Sequence, residues 1–161
     1  FKTITYHKYL VCKGCFKVGL YWQGLTHDLS KYSPTEFKVG LKYYQGTRSP
    51  NNAEREDIGV STSWLHHKGR NKHHFEYWYD WTAKESMPII PFKYMLEMIC
   101  DRIAATKIYN KKDYNNKIPY EYFMKGKDSY VLNDKLKAFL EEVFTKLYED
   151  GEVILKKKMK K

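Results

Sequence analysis

The sequence predicts an all-α, single-domain helical bundle of about six helices. Three observations carry that expectation. Apolar residues recur at helical spacing in several long segments. No pair of alternating strands joined by a hairpin turn occurs, and no repeat divides the chain. Apolar residues make up 42% of the 161 positions, with 15 Tyr, 8 Phe and 4 Trp, enough to fill one sizeable core and too much for disorder.

The elements follow in order. Residues 3–20 read as a helix capped by Thr3, with Ile4, His7, Val11, Cys15 and Val18 on one stripe. Gly24 is expected to break the path, and His27-Asp28 to open the next segment. Ser33-Pro34-Thr35-Glu36 has the form of a helix start, with Ser33 as cap, Pro34 in the first turn and Glu36 at the capping-box position. That role accounts for Glu36 without chemistry. Its helix is expected to run to about Tyr44, with a surface loop from Gln45 to Asn52. A further helix is expected from Ala53 through His67, closed by Gly69 in the left-handed region and followed by a basic loop. Met87–Pro91 is a connector, and Phe92 to about Tyr109 is a helix apolar on two sides. Phe92, Leu96, Ile99 and Ile103 form one of its faces. Tyr94, Met98, Asp101, Ala105 and Ile108 form the other. Residues 110–131 show little periodicity and are expected to be irregular. Asn133 then caps an amphipathic helix with Leu136, Phe139, Leu140, Val143 and Leu147 inward, ended by Gly151. The expected division is a helical domain over 1–150 and a Lys-rich tail over 151–161.

The chemistry concentrates in Leu25-Thr26-His27-Asp28-Leu29-Ser30-Lys31. Histidine supplies a neutral nitrogen ligand and aspartate an anionic oxygen ligand, so the pair can face one divalent metal. Lys31 can hold an anionic group brought up to it. All six histidines fall in the first 74 residues, and four of them, His66, His67, His73 and His74, lie within nine positions. Convergence of several imidazoles is what a metal centre requires. Neighbouring helical residues point about 100° apart, so one ligand from each His-His pair is the expectation. Asp101 sits among small and apolar neighbours on a helix buried on both sides, where a carboxylate needs Arg102, another cation or a metal.

The order His7, His27-Asp28, Asp101 resembles the HD-domain superfamily of metal-dependent phosphohydrolases. Thr26-His27-Asp28-Leu29-Ser30-Lys31 is similar to that family's His-Asp-Ile-Gly-Lys core, with Ser30 in place of its glycine. Ile99-Cys100-Asp101-Arg102-Ile103-Ala104 resembles its final Ala-Asp segment. The blocks HDLSKYSPTEF and HHKGRNKHH also resemble a small uncharacterised bacterial and phage family. The superfamily resemblance implies an HD-like helical fold and a first metal held by His7, His27, Asp28 and Asp101. His66, His67, His73 and His74 resemble the extra histidines of two-metal members, although no Gly-Tyr-Pro follows them. The implied cofactor is a divalent transition metal (Mn, Fe, Co, Zn or Ni), at one site and, through those histidines, a second. The implied activity is hydrolysis of a nucleotide or other small phosphoester. In it Asp28 binds metal and orients water, and Lys31, Arg70 and Lys72 attract phosphate. A two-iron oxygenase of the myo-inositol oxygenase kind is the alternative within the same geometry.

The formal net charge of +10 points loosely to an anionic partner. A basic, tyrosine-rich protein that binds RNA or DNA without catalysis is therefore a third reading, although Lys156–Lys161 alone holds five of the lysines and no basic helix face specifies DNA. Cys12, Cys15 and Cys100 are an odd set inside helical patterns. Reduced thiols and a cytoplasmic location are expected, with no membrane span and no secretory signal pattern.

Overall fold

Residues 1–153 are described by the structure, a computed structural model. They form eight α-helices and four short 3-10 turns, with no strand among the described residues. The helices are α1 (Lys2–Lys17), α2 (Tyr21–Thr26), α3 (Pro34–Tyr43), α4 (Pro50–Ile58), α5 (Thr62–Lys68), α6 (Phe92–Asn110), α7 (Lys117–Gly126) and α8 (Asp134–Asp150). The all-α single domain is as expected. The Lys-rich stretch 156–161 lies outside the described residues. No helix among the described residues is long and apolar enough to cross a membrane.

Helix α6 organises the core. It packs on α1 along one side and on α7 along another. Met95, Leu96, Met98, Ile99, Cys100, Ile103 and Ala104 are all buried. Val11, Cys15 and Val18 of α1 meet it, as their stripe indicates. From α8, Leu136, Leu140, Val143, Phe144 and Leu147 complete the core. Phe92, expected inward, is instead 50% exposed and packs edge-on to Phe139 at 5.8 Å.

Several expectations require correction. Thr3 does not cap α1; its hydroxyl bonds Tyr44 Oη at 2.7 Å. The chain leaves α1 at Gly19, in the left-handed region at φ 78°. Gly24 does not break a helix but lies within α2, where a Cβ would come within 3.1 Å of Cys15 Cβ and 3.2 Å of Cys12 Cα. Its role is close approach, which lays α2 on α1 and delivers His27 beside His7. The expected 53–67 helix is two helices, divided where Gly59 adopts φ 78°. The first of them starts earlier than expected, at Pro50, with Ser49 capping Asn51 N–H. Gly69, expected left-handed, has φ −73°. Residues 117–126, expected irregular, form α7. Its sequence is rich in Lys and Tyr, but Phe123 is fully buried against Phe144, with ring centroids 5.2 Å apart.

The joint between α4 and α5 sets where His67 comes to lie. Glu54, buried on α4, accepts from Ser61 Oγ at 2.6 Å, Thr62 Oγ1 at 2.6 Å and Ser63 Oγ at 3.1 Å, clamping the start of α5. Burial raises the Glu54 pKa, but these donors outweigh it and hold the carboxyl below its usual value of 4.5. A depressed folded-state pKa stabilises the fold above the unfolded pKa, and that contribution is lost as pH falls through the folded value. Glu54→Gln should therefore lower unfolding stability by about 1–3 kcal/mol at pH 7. The gap to the parent protein should close as the pH drops below about 4.5. Denaturant titrations at pH 7 and pH 4 measure it, and a gap that is constant with pH would refute the clamp.

Candidate metal centre

Five separate segments deliver side chains to one point. His7 projects from α1, one stripe position before Val11. His27 and Asp28 follow α2 rather than opening a helix, and Asp28 begins a 3-10 turn (Leu29–Tyr32) with φ 53°. A positive φ is unusual outside glycine, although Asp and Asn tolerate it best. Held so, Asp28 is only 2% exposed. His67 comes from the last turn of α5, and His73 and His74 from the loop beyond it. Asp101 and Glu97 stand one turn apart on α6, so both carboxylates share a face.

Asp28 joins two groups of ligand atoms. Its Oδ2 lies 3.4 Å from His27 Nε2 and 3.9 Å from His7 Nε2. Its Oδ1 lies 3.2 Å from His67 Nε2 and 3.4 Å from His73 Nε2. Asp101 Oδ1 completes the first group, 2.8 Å from His7 Nε2 and 3.6 Å from His27 Nε2. His7, His27, Asp28 and Asp101 thus form one set whose ligand atoms all lie within 4.8 Å of one another, and Asp28, His67, His73 and His74 form another.

Two carboxylates aim the imidazoles. Glu97 Oε1 lies 3.0 Å from His27 Nδ1 and 3.2 Å from His73 Nδ1. Glu36 Oε2 lies 2.8 Å from His67 Nδ1, and its Oε1 lies 2.7 Å from His66 Nδ1. An ionised carboxylate only accepts, so each of these Nδ1–H groups donates, which leaves Nε2 of His27, His67 and His73 as the ring atom that faces Asp28. Ser33 does cap Glu36 N–H at 3.4 Å, but the Glu36 side chain goes to the histidines instead of back to the cap.

The charged groups of the cluster interact strongly. Burial raises the pKa of Asp28, Asp101 and Glu97, but the surrounding imidazoles, with Lys31 at Asp28, more than offset it and hold all three low. Burial and the neighbouring His73 and His67 hold His74 well below the ordinary histidine value, so its ring is neutral. Asp28, Asp101, Glu97 and Glu36 place four carboxylates here, and although burial opposes it they push the pKa of His27 and His67 up, so these rings and Lys31 share the balancing charge. Among the described residues, the buried side-chain atoms without a hydrogen-bond partner are His27 Nε2, Asp28 Oδ1, His73 Nε2 and His74 Nε2, and all four belong to this cluster. Unpartnered buried polar atoms are costly. Here they are imidazole nitrogens and a carboxylate oxygen, a donor set that suits a divalent transition metal.

Residues 1–146 match the model of a family described as a Family of unknown function (DUF5662). The chain belongs to that family. No curated protein and no solved structure matches it. The matched range holds all the residues that converge in this family member, from His7 to Asp101.

The remaining candidates separate clearly. His66 belongs to neither convergent set and bonds Glu36 only through Nδ1. From the second His-His pair both members converge, where one was expected. Lys31 Nζ is 2.7 Å from Asp28 Oδ2 and 3.3 Å from His67 Nε2. Arg70 and Lys72, expected to attract phosphate, are not brought to the centre. Arg70 is exposed and donates to His66 O at 3.4 Å, and Lys72 Nζ lies 5.8 Å from the Tyr77 and Tyr94 ring centroids. Asp101 takes His7 as its partner, not Arg102, whose Nη1 donates to Tyr130 Oη at 3.1 Å.

Above the cluster lies a cleft with two arms that share Asp101, His74, Trp64 and Tyr109. One arm, of about 430 Å³, is walled by Ile4, Phe37, Leu41, Tyr44 and Ile108, with Lys31 at its floor. The other, of about 700 Å³, runs past Phe75, Tyr122 and Tyr130.

Proposed function

We propose that this chain is a metal-dependent phosphohydrolase of HD-like type, acting on a nucleotide or other small phosphoester. The observation that carries the reading is Asp28, whose two oxygens face two different groups of imidazoles in a cluster of unpartnered buried donors. His7, His27, Asp28 and Asp101 would hold one metal, and Asp28, His67, His73 and His74 a second. Bound there, such metals supply Lewis acidity toward a phosphoryl oxygen and lower the pKa of water. Glu97 and Glu36 fix the rings, and the smaller arm offers apolar walls beside the reacting group.

Elemental analysis of the purified protein, followed by a phosphoester screen with the metal found, tests the proposal. Bound Mn, Co, Zn or Ni with phosphate release is the expected result. Iron with a mixed-valence signal and no phosphate release would replace the hydrolase with a two-iron oxygenase.

Lys31 reaches the cleft from the side of Asp28, where it can meet a substrate phosphate. Lys31→Ala should lower kcat/KM by about tenfold or more, the loss expected for a charge-assisted hydrogen bond, with metal content unchanged. Equal activity in the two proteins would reduce Lys31 to a counter-charge for Asp28.

A further inference from the structure

The wider arm of the cleft contains a cation that the metal centre does not use. Arg102 is half-buried, and its guanidinium carbon lies 4.9 Å from the Tyr130 ring centroid, 5.0 Å from that of Phe75 and 6.0 Å from that of Tyr122. Its hydrogen bond goes to a neutral phenol, Tyr130 Oη. No carboxylate pairs with it among the described residues. The other arginines on this arm are committed: Arg48 forms a fork on Glu56, and Arg55 bonds Asn52 and covers Trp64. Glu121, which also lines the arm, is paired with Lys117. Lys125 lines it too, exposed and without an ion pair among the described residues.

Three rings hold a guanidinium in place and strip part of its water, yet they neutralise none of its charge. A planar fork of five donors with one of them used is suited to bidentate binding of a phosphate or carboxylate. Arg102 points away from Asp101 on α6, toward Phe75, Tyr122 and Tyr130, and the fork meets the metal ligands only across the cavity it lines with them. His73, His74 and Asp101 line the same arm.

We infer that Arg102, assisted by Lys125, forms a subsite for a second phosphate group, so that the substrate is an organic phosphate bearing two phosphates. The scissile one lies at the His/Asp cluster, the other lies on Arg102 in the wide arm, and an apolar body fits the narrower arm. The inference rests on the phosphohydrolase reading only for which phosphate reacts.

The test compares calorimetric binding of methylenebisphosphonate and methylphosphonate, neither of which is hydrolysed, to the protein as purified with its metal. The parent protein should bind the bisphosphonate at least about tenfold more tightly. Arg102→Gln should remove most of that preference while methylphosphonate affinity and metal content stay unchanged. The bisphosphonate also binds metals, so the Arg102-dependent part of the preference is the deciding quantity. Lys125→Gln, at an exposed position that cannot threaten the fold, should remove a smaller share. Full discrimination in both variants, or none in the parent, would overturn the subsite. An Arg102-dependent preference in a protein that releases phosphate from no ester would keep the subsite and remove the hydrolase reading. Phosphate release without that preference would do the reverse.

Discussion

Asp28→Asn is expected to lower the affinity for metal at both halves of the centre together. Asn tolerates the left-handed backbone that residue 28 adopts at φ 53°, so the turn before Leu29 should survive the change. What is lost is the charge, and with it the best ligand of each set, because Oδ2 faces His27 and Oδ1 faces His67 and His73. Loss of a residue that merely orients a ligand costs about 10–100-fold in metal affinity, so loss of a shared ligand should cost about two orders of magnitude or more per site. His7→Ala and His74→Ala serve as the comparison. Each belongs to one set only, and each should leave the other half filled. Metal per chain, measured by elemental analysis after gel filtration, distinguishes these outcomes. Stoichiometric metal retained by Asp28→Asn would remove Asp28 from its central place.

Stripping the metal should loosen the whole domain. The candidate ligands span residues 7 to 101 and come from α1, the α2 exit, α5, the following loop and α6, so an ion held by them would bind the folded arrangement and not the unfolded chain. An ion present at about a hundredfold over its Kd contributes about 2.7 kcal/mol per site. For a domain of this size that corresponds to roughly 5–10 °C in Tm. Without it, Asp28, Asp101 and Glu97 crowd together with only Lys31 and the imidazoles to balance them. Thermal unfolding with and without a chelator, then with metal restored, measures the effect. A Tm that does not respond to the chelator would show that histidine–carboxylate bonds alone hold the cluster.

What the sequence disclosed, and what it withheld, follows from the range of the forces involved. Ser33 and Asn133 were readable as caps because a side chain bonding an amide two or three residues on is a local event. The Val11, Cys15 and Val18 stripe was readable because helical spacing fixes which side chains share a face. Gly24 was misread because its reason lies across space, in the backbone and side chains of Cys12 and Cys15. Helix α7 was missed because Pro119 and Phe123 are its buried residues, the first a helix breaker and the second set among Lys and Tyr. His7, His27, Asp28 and Asp101 could be singled out by residue type and order, but Glu97 and Glu36 could not be chosen from the chain's other acidic residues. Glu97 had one local signal, its position one helical turn before Asp101. Glu36 had none, since its capping position already accounted for it. Arg70 and Lys72 illustrate the opposite error: a charge in a loop attracts a functional assignment, yet the sequence does not say which way the loop faces.

Glu97 has a consequence for how the centre fills. A single oxygen, Oε1, is within reach of both His27 Nδ1 and His73 Nδ1. These two rings belong to different ligand sets, so neither can tip without disturbing the acceptor on which the other depends. The two halves therefore share one degree of freedom. If the two sets hold metals as proposed, an ion seated against His27 would draw Glu97 into the position that also holds His73, and a second ion would meet an imidazole already ordered. Filling either half would then favour filling the other, a cooperativity inside one chain with no second subunit and no moving domain.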